Sequence, residues 1–208
     1  MIKSASEIRS AARAALSGHW AEAAMLTFVY CIVAWAFSAL VGGLEYVQQG
    51  LGTVATLLML PLSWGYTVTF LSNARGENDP FNVSRIFDGY KDFGRIFITI
   101  LLMQVYTFLW TLLFIIPGII KSLSYAMTPF VLRENPEMKN NEAIELSMKM
   151  MNGHKGDLFW LYLTFIGWGI LCIFTFGIGY FWFAPYVQAS TAQFYEDVKA
   201  DYEQKRER

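Results

Sequence analysis

Few side chains in this sequence combine reactivity with apolar surroundings. Lys121 is the sole charge between Ile96 and Leu132. An ionisable group at membrane depth is a candidate site for an anionic substrate group or a lipid phosphate. The plainer reading is that it lies about one turn from Pro117, snorkels to the outer surface and meets Glu45. His19 and His154 are the only histidines, and each follows a glycine, Gly18 and Gly153. Histidine titrates near neutrality, so either could sense pH or bind a metal. No HExxH, no carboxylate at zinc spacing and no cysteine cluster accompanies them. A helix-terminal cation near the last carbonyls and the headgroups accounts for them equally. Cys31 and Cys172 lie in separate apolar tracts without CxxC spacing and read as small hydrophobes. Gly167-Trp168-Gly169 and Gly177-Ile178-Gly179 follow no strand and precede no Lys-Ser/Thr, so they are not phosphate loops. There is no GxSxG and no acidic pair inside an apolar tract. With acid, base and nucleophile all lacking a cluster, the expectation is a non-enzyme without cofactor or metal.

The elements that must position these residues follow from the distribution of charge. Of 208 residues, 55% are hydrophobic, 17% aromatic and 16% charged, against about 25% charged in ordinary soluble domains. The charges fall in blocks separated by long uncharged tracts. That pattern suits lipid as solvent, and a net charge of −1 offers no basic field for nucleic acid. The chain reads as one all-α integral membrane domain, 1–208, a polytopic bundle of about six spans arranged as three hairpins. Residues 1–22 form an interfacial N-terminal helix. Within it Ile8, Ala11, Ala12, Ala15 and Leu16 share one face, Glu7, Arg9, Ser10, Arg13 and Ser17 the other, and Gly18 is the stop. Residues 23–73 form the first hairpin. Its first helix, Ala23–Leu44, carries no charge and is long enough for a core of about 30 Å; a turn at Glu45–Gly52 leads to a return helix containing Pro61. Residues 74–95 form a charged loop with Phe81, Phe87, Tyr90 and Phe93 interleaved, placed at headgroup level.

Residues 96–133 form the second hairpin, with Pro117-Gly118 at its turn. In the interfacial segment 134–157, Ala143, Ile144, Leu146, Met148, Met150 and Met151 fill one wide face. Glu142, Glu145, Lys149 and Asn152 fill the other, and Gly153 ends the helix before His154 and Lys155. Such a Met-rich face either floats on the bilayer or docks a partner. Residues 158–195 form the third hairpin, turning at 177–179, and 196–208 a solvated, partly helical charged tail. An offset of 135 positions lays Glu7 on Glu142, Leu16 on Met151 and His19 on His154. The chain therefore reads as three modules of interfacial helix, glycine and membrane hairpin, with Gly94-Arg95 closing the most degenerate copy and Pro61, Pro129 and Pro185 in the return helices. With six spans, Lys and Arg at 3, 9, 13, 75, 85, 91, 95, 133, 139, 149, 155 and in the tail all fall on one side, which the positive-inside rule makes cytoplasmic along with both termini.

The combination of IIPGIIKSLSYAMTP (115–129), NEAIELSMKMMNGHKGDLF (141–159), FIGWGILCIFTFGIGYFWFAPY (165–186), FYED (194–197) and PLSWGYTVTFLSNARGE (61–77) resembles the bacterial integral membrane family called domain of unknown function 975. More distantly, the PGI hairpin followed by an Ala-Ile-x-x-Ser helix is similar to membrane domains attached to some glycerophosphodiester phosphodiesterases. The resemblance implies a bacterial inner-membrane protein without an established activity or catalytic residues. The expected role is a scaffold or accessory protein that presents interfacial helices at the cytoplasmic face. Its expected partners are membrane lipids and an unidentified cytoplasmic or membrane protein. The alternative is a small-molecule, ion or lipid transporter, or a lipid-binding protein, that uses the proline-broken helices and Lys121.

Overall fold

A computed structural model describes residues 2–45 and 57–207, and among them all regular structure is helical. Helix α1 (Ala5–Leu16) opens with a capping box. The Ser4 side chain accepts from the Glu7 N–H, and the Ser4 N–H donates to the Glu7 carboxylate at 2.7 Å. Gly18, at φ +86°, turns the chain into α2 (Trp20–Glu45). Helix α3 (Leu60–Ala74) begins with Pro61 in its first turn, where the missing N–H costs nothing. A 3-10 segment (Val83–Tyr90) leads to α4 (Phe93–Leu113). Helices α5 (Ile115–Tyr125) and α6 (Thr128–Glu134) follow nearly end to end, then α7 (Asn141–Met150), α8 (Lys155–Leu163), α9 (Ile166–Phe174) and the long α10 (Tyr180–Arg206). Among the described residues, four stretches are long and apolar enough to cross a membrane: Trp20–Ala39, Phe93–Leu113, Ile115–Glu134 and Lys155–Phe174.

The helices form three out-and-back pairs whose open ends meet at one charged pole. Asn73 Nδ2, near the end of α3, donates to the Ala15 carbonyl at 3.0 Å, so α3 returns to where α2 began. Arg95, at the start of α4, donates to the carbonyls of Leu132, Asn135 and Met138 at 3.1, 3.3 and 3.4 Å, which brings the end of α6 back to it. His154, just before α8, lies 3.0 Å from Asp201 near the end of α10. The turn expected at Glu45–Gly52 and the first residues of the return helix expected after it lie outside the described residues. Glu45 ends α2, and its side chain is likewise outside them.

Several sequence expectations are corrected by packing. The second hairpin turns at Phe114, which is extended (φ −157°, ψ 139°), and Pro117-Gly118 lies inside the first turn of α5. Gly118 serves contact instead: a Cβ there would stand 2.3 Å from Thr111 Oγ1 and 2.7 Å from Thr111 Cα on α4. The charged loop is packed against the protein along one side. Gly65 and Gly89 let the 3-10 segment lie directly on α3, since a Cβ would come within 2.1 Å of the Ile86 carbonyl oxygen or 2.2 Å of that of Pro61. Phe81 is buried, while Phe87, Tyr90 and Phe93 remain exposed. Gly94 lies within α4 and is not among the left-handed glycines, so the degenerate copy lacks the stop seen at Gly18 and Gly153.

Neither amphipathic helix offers its apolar face to lipid. Ile8, Ala12 and Leu16 of α1 are buried, with α1 packed along α10. Ala143, Ile144, Met150 and Met151 are buried by α7 packing on α4, α5 and α6. The tail 196–208 is not solvated throughout: α10 runs unbroken to Arg206 and buries Val198. The core gathers at the charged pole. The opposite ends expose large apolar side chains, with Ile116 at 72%, Phe174 at 77% and Phe176 at 98%.

Candidate functional site

The three candidate regions surround that charged pole or the walls just beneath it. Lys121 lies on α5 and is half-buried. Its ammonium stands 5.0 Å from the centre of the Trp110 ring, within cation–π reach. It lines a cavity of about 300 Å³ with Tyr106, Trp110, Tyr125, Asn141, Ile144, Glu145 and Met148. The Tyr106 hydroxyl donates to Asn141 Oδ1 at 3.0 Å and pins the start of α7 across the cavity. Among the described residues, no carboxylate ion-pairs with Lys121. The cavity thus brings together a half-buried cation, an aromatic face, an amide and the carboxylate of Glu145. Pro117 and Gly118, one turn before Lys121, do not line the cavity, and Gly118 sets how closely α5 approaches α4.

The two glycine–histidine steps are alike in geometry. Gly18 and Gly153 have φ of +86° and +90°, values that favour glycine. In each case the histidine Nδ1 faces a carboxylate three residues on, His19 with Glu22 at 2.7 Å and His154 with Asp157 at 3.4 Å. Glu22 and Asp157 fall at the same offset of 135 positions. His154 differs in its second contact, Asp201, which also pairs with Lys205 at 2.5 Å. Hydrogen bonds from Lys205 first and His154 second hold the Asp201 carboxyl down to about 2. Lys155 opens α8 half-buried. These residues join hairpin to hairpin. Among the described residues, no group of three or more His, Cys, Asp and Glu side chains is placed to hold a metal ion.

Sequence reasoning missed the largest constellation, an ion network from four separate stretches. Arg133 on α6 reaches both oxygens of Glu77 at 2.8 and 2.9 Å, and donates to Ser72 Oγ and the Val68 carbonyl at 2.6 Å each. Arg85 adds contacts to Glu77 at 3.0 Å and Ser72 at 2.6 Å. Arg75 bridges Glu134 and, at 2.8 Å, Glu196. Glu134 also accepts from Tyr195 at 2.6 Å and pairs with Lys199 at 2.8 Å. Burial pushes the Glu77 carboxyl up, but hydrogen bonds from Arg85 and Ser72 and the Arg133 charge outweigh it and hold the group below the usual carboxylate range. The signal available in sequence was charge itself, but its pairing spans up to 121 positions, beyond any local pattern.

Residues 1–124 and 112–202 match the family described as "Protein of unknown function (DUF975)". The chain belongs to that family. No curated protein and no solved structure matches it, and the more distant likeness to membrane domains of glycerophosphodiester phosphodiesterases is not shown by these comparisons. Among its described residues, this member of the family combines four membrane-length apolar stretches with a charged pole locked by arginine–carboxylate pairs.

Proposed function

We propose that this chain is a non-enzymatic, multi-pass protein of the bacterial inner membrane that acts as a scaffold or accessory, with both termini and the charged pole cytoplasmic. One observation carries the reading: large apolar side chains are exposed at the closed ends of the helix pairs, while the cationic residues gather at the open ends. Contiguous apolar exposure on that scale is foreign to a water-soluble monomer. Six spans agree with the three out-and-back pairs, and the positive-inside rule then orients them. The apolar faces of α1 and α7 are occupied by the chain itself, so a partner would meet the polar pole. There a cavity of about 510 Å³ is lined by Arg75, Glu134, Tyr195, Lys199, Glu203 and Arg206, among others. Washing membranes with alkaline carbonate should leave the protein in the pellet, and a photoreactive residue at Glu203 should give a discrete protein adduct in intact cells while one at Ile173 contacts lipid alone. Release by carbonate would remove the membrane reading; no adduct at Glu203 would remove the scaffold.

A second reading is favoured by the Lys121 cavity, which the transporter or lipid-binding alternative requires. Lys121→Met should then alter uptake or lipid binding in a chain that folds normally. No change in either property would leave Lys121 a packing residue held by Trp110.

A further inference from the structure

Arg9 and Arg13 lie four positions apart on α1, hence on one helix face. Arg75, Arg85, Arg95 and Arg133 each meet a carboxylate. Arg9 and Arg13 meet none among the described residues, and Arg9 Nε is buried without a hydrogen-bond partner. Beside Arg13 opens a groove of about 320 Å³ that it lines together with Trp20, Trp168, Trp182 and Phe183. Its walls belong to α2, α9 and α10, and almost all of them are apolar. The Tyr186 hydroxyl, also in the groove, reaches the Arg9 carbonyl at 3.5 Å and ties α1 to the rim. The groove thus has one cationic end, an apolar length and indole rings, the side chains enriched at the headgroup level of bilayers.

We infer that this groove binds an anionic phospholipid, its phosphodiester held by the Arg13 guanidinium at the rim, with the Arg9 charge one turn away on the same helix face adding attraction, and an acyl chain laid along the tryptophan-lined wall. The inference rests on the membrane reading above. Free phosphate would use the cations but leave the groove unfilled. A zwitterionic headgroup would bring an ammonium against two cations with no acid to receive it. An anionic lipid satisfies both ends of the site.

The test uses the purified full-length chain in vesicles containing brominated phosphatidylglycerol or brominated phosphatidylcholine at equal mole fraction, with quenching of tryptophan fluorescence as the readout. Trp20, Trp168 and Trp182 line the groove. The wild type is expected to show stronger quenching by the brominated anionic lipid. That preference should fall about fivefold for each guanidinium removed, the worth of one cation beside anionic lipid. Arg13→Gln, at an exposed position, tests this without threatening the fold, and the Arg9→Gln/Arg13→Gln pair should abolish the preference. Lys91→Gln, a remote exposed cation, should leave it unchanged. Equal quenching by both lipids, or a preference that survives the double substitution, overturns the site while the membrane reading stands. Quenching by neither lipid overturns both.

Discussion

At Gly118 a single methyl group decides whether α5 can lie on α4. The nearest obstacle includes the Thr111 Cα at 2.7 Å, so a rotamer change on Thr111 cannot make room. Gly118→Ala should therefore lower stability by about 1–3 kcal/mol, the usual cost of overpacking. Gly156→Ala, with nothing within 4 Å of its Cβ, should be neutral or slightly stabilising; thermal unfolding of the two variants in detergent checks the contrast. Sequence reading placed Pro117-Gly118 at the turn because the dipeptide usually marks one. The close approach that makes glycine necessary is a contact between helices and has no local signature. Gly18 and Gly153 were legible because a helix stop is local. The histidines beside them were legible as a pair, but not their carboxylates, Asp201 least of all. Asp201 yields a pH prediction. Its folded value, about 2, lies below the ordinary 3.8, so its contribution is complete above 3.8 and is lost as pH falls toward about 2. Asp201→Asn should flatten the decline in unfolding midpoint across that acidic window and leave the rest of the profile unchanged.

At the scale of elements, periodicity identified the apolar faces of α1 and α7 correctly and assigned them the wrong neighbour. A helical repeat says which face avoids water; it does not say whether lipid or protein covers it. Met150, 4% exposed, supplies the test. A carboxylate at a lipid-facing site on an interfacial helix would loosen only that helix. Buried among α4, α5 and α6, Met150→Glu should destabilise the whole chain by about 3–5 kcal/mol, visible as loss of monodisperse folded protein on size exclusion. The network at the pole makes a second element-scale prediction. Arg133→Met leaves Glu77 to Arg85 alone and frees the end of α6 from α3, and should cost about 1.5–3 kcal/mol. Arg133→Lys should recover only part of that, because an ammonium cannot span both oxygens of Glu77 as the guanidinium fork does. A thermal-shift series of the three proteins checks the order.

For the molecule as a whole, the legible part was the alternation of charged blocks and apolar tracts. It anticipated helices throughout, the hairpin at 177–179 and the meeting of the cationic blocks at one pole. Two features were hidden from it. The core is concentrated at that pole because α1, α3, α6, α7 and α10 converge there, and convergence is set by contacts between distant segments. Lys121 faces Asn141 and Glu145 because α7 folds back over the second hairpin, an arrangement that no tract boundary announces. The central proposal is that the pole, where α6 and its ion pairs meet α7, stands in the cytoplasm. The direct measurement is thiol labelling of intact bacteria carrying the chain with Cys31 and Cys172 replaced and the exposed Glu137 changed to Cys. The account predicts that a membrane-impermeant reagent modifies that cysteine only after the membrane is permeabilised; modification in intact cells would place the pole outside and contradict it.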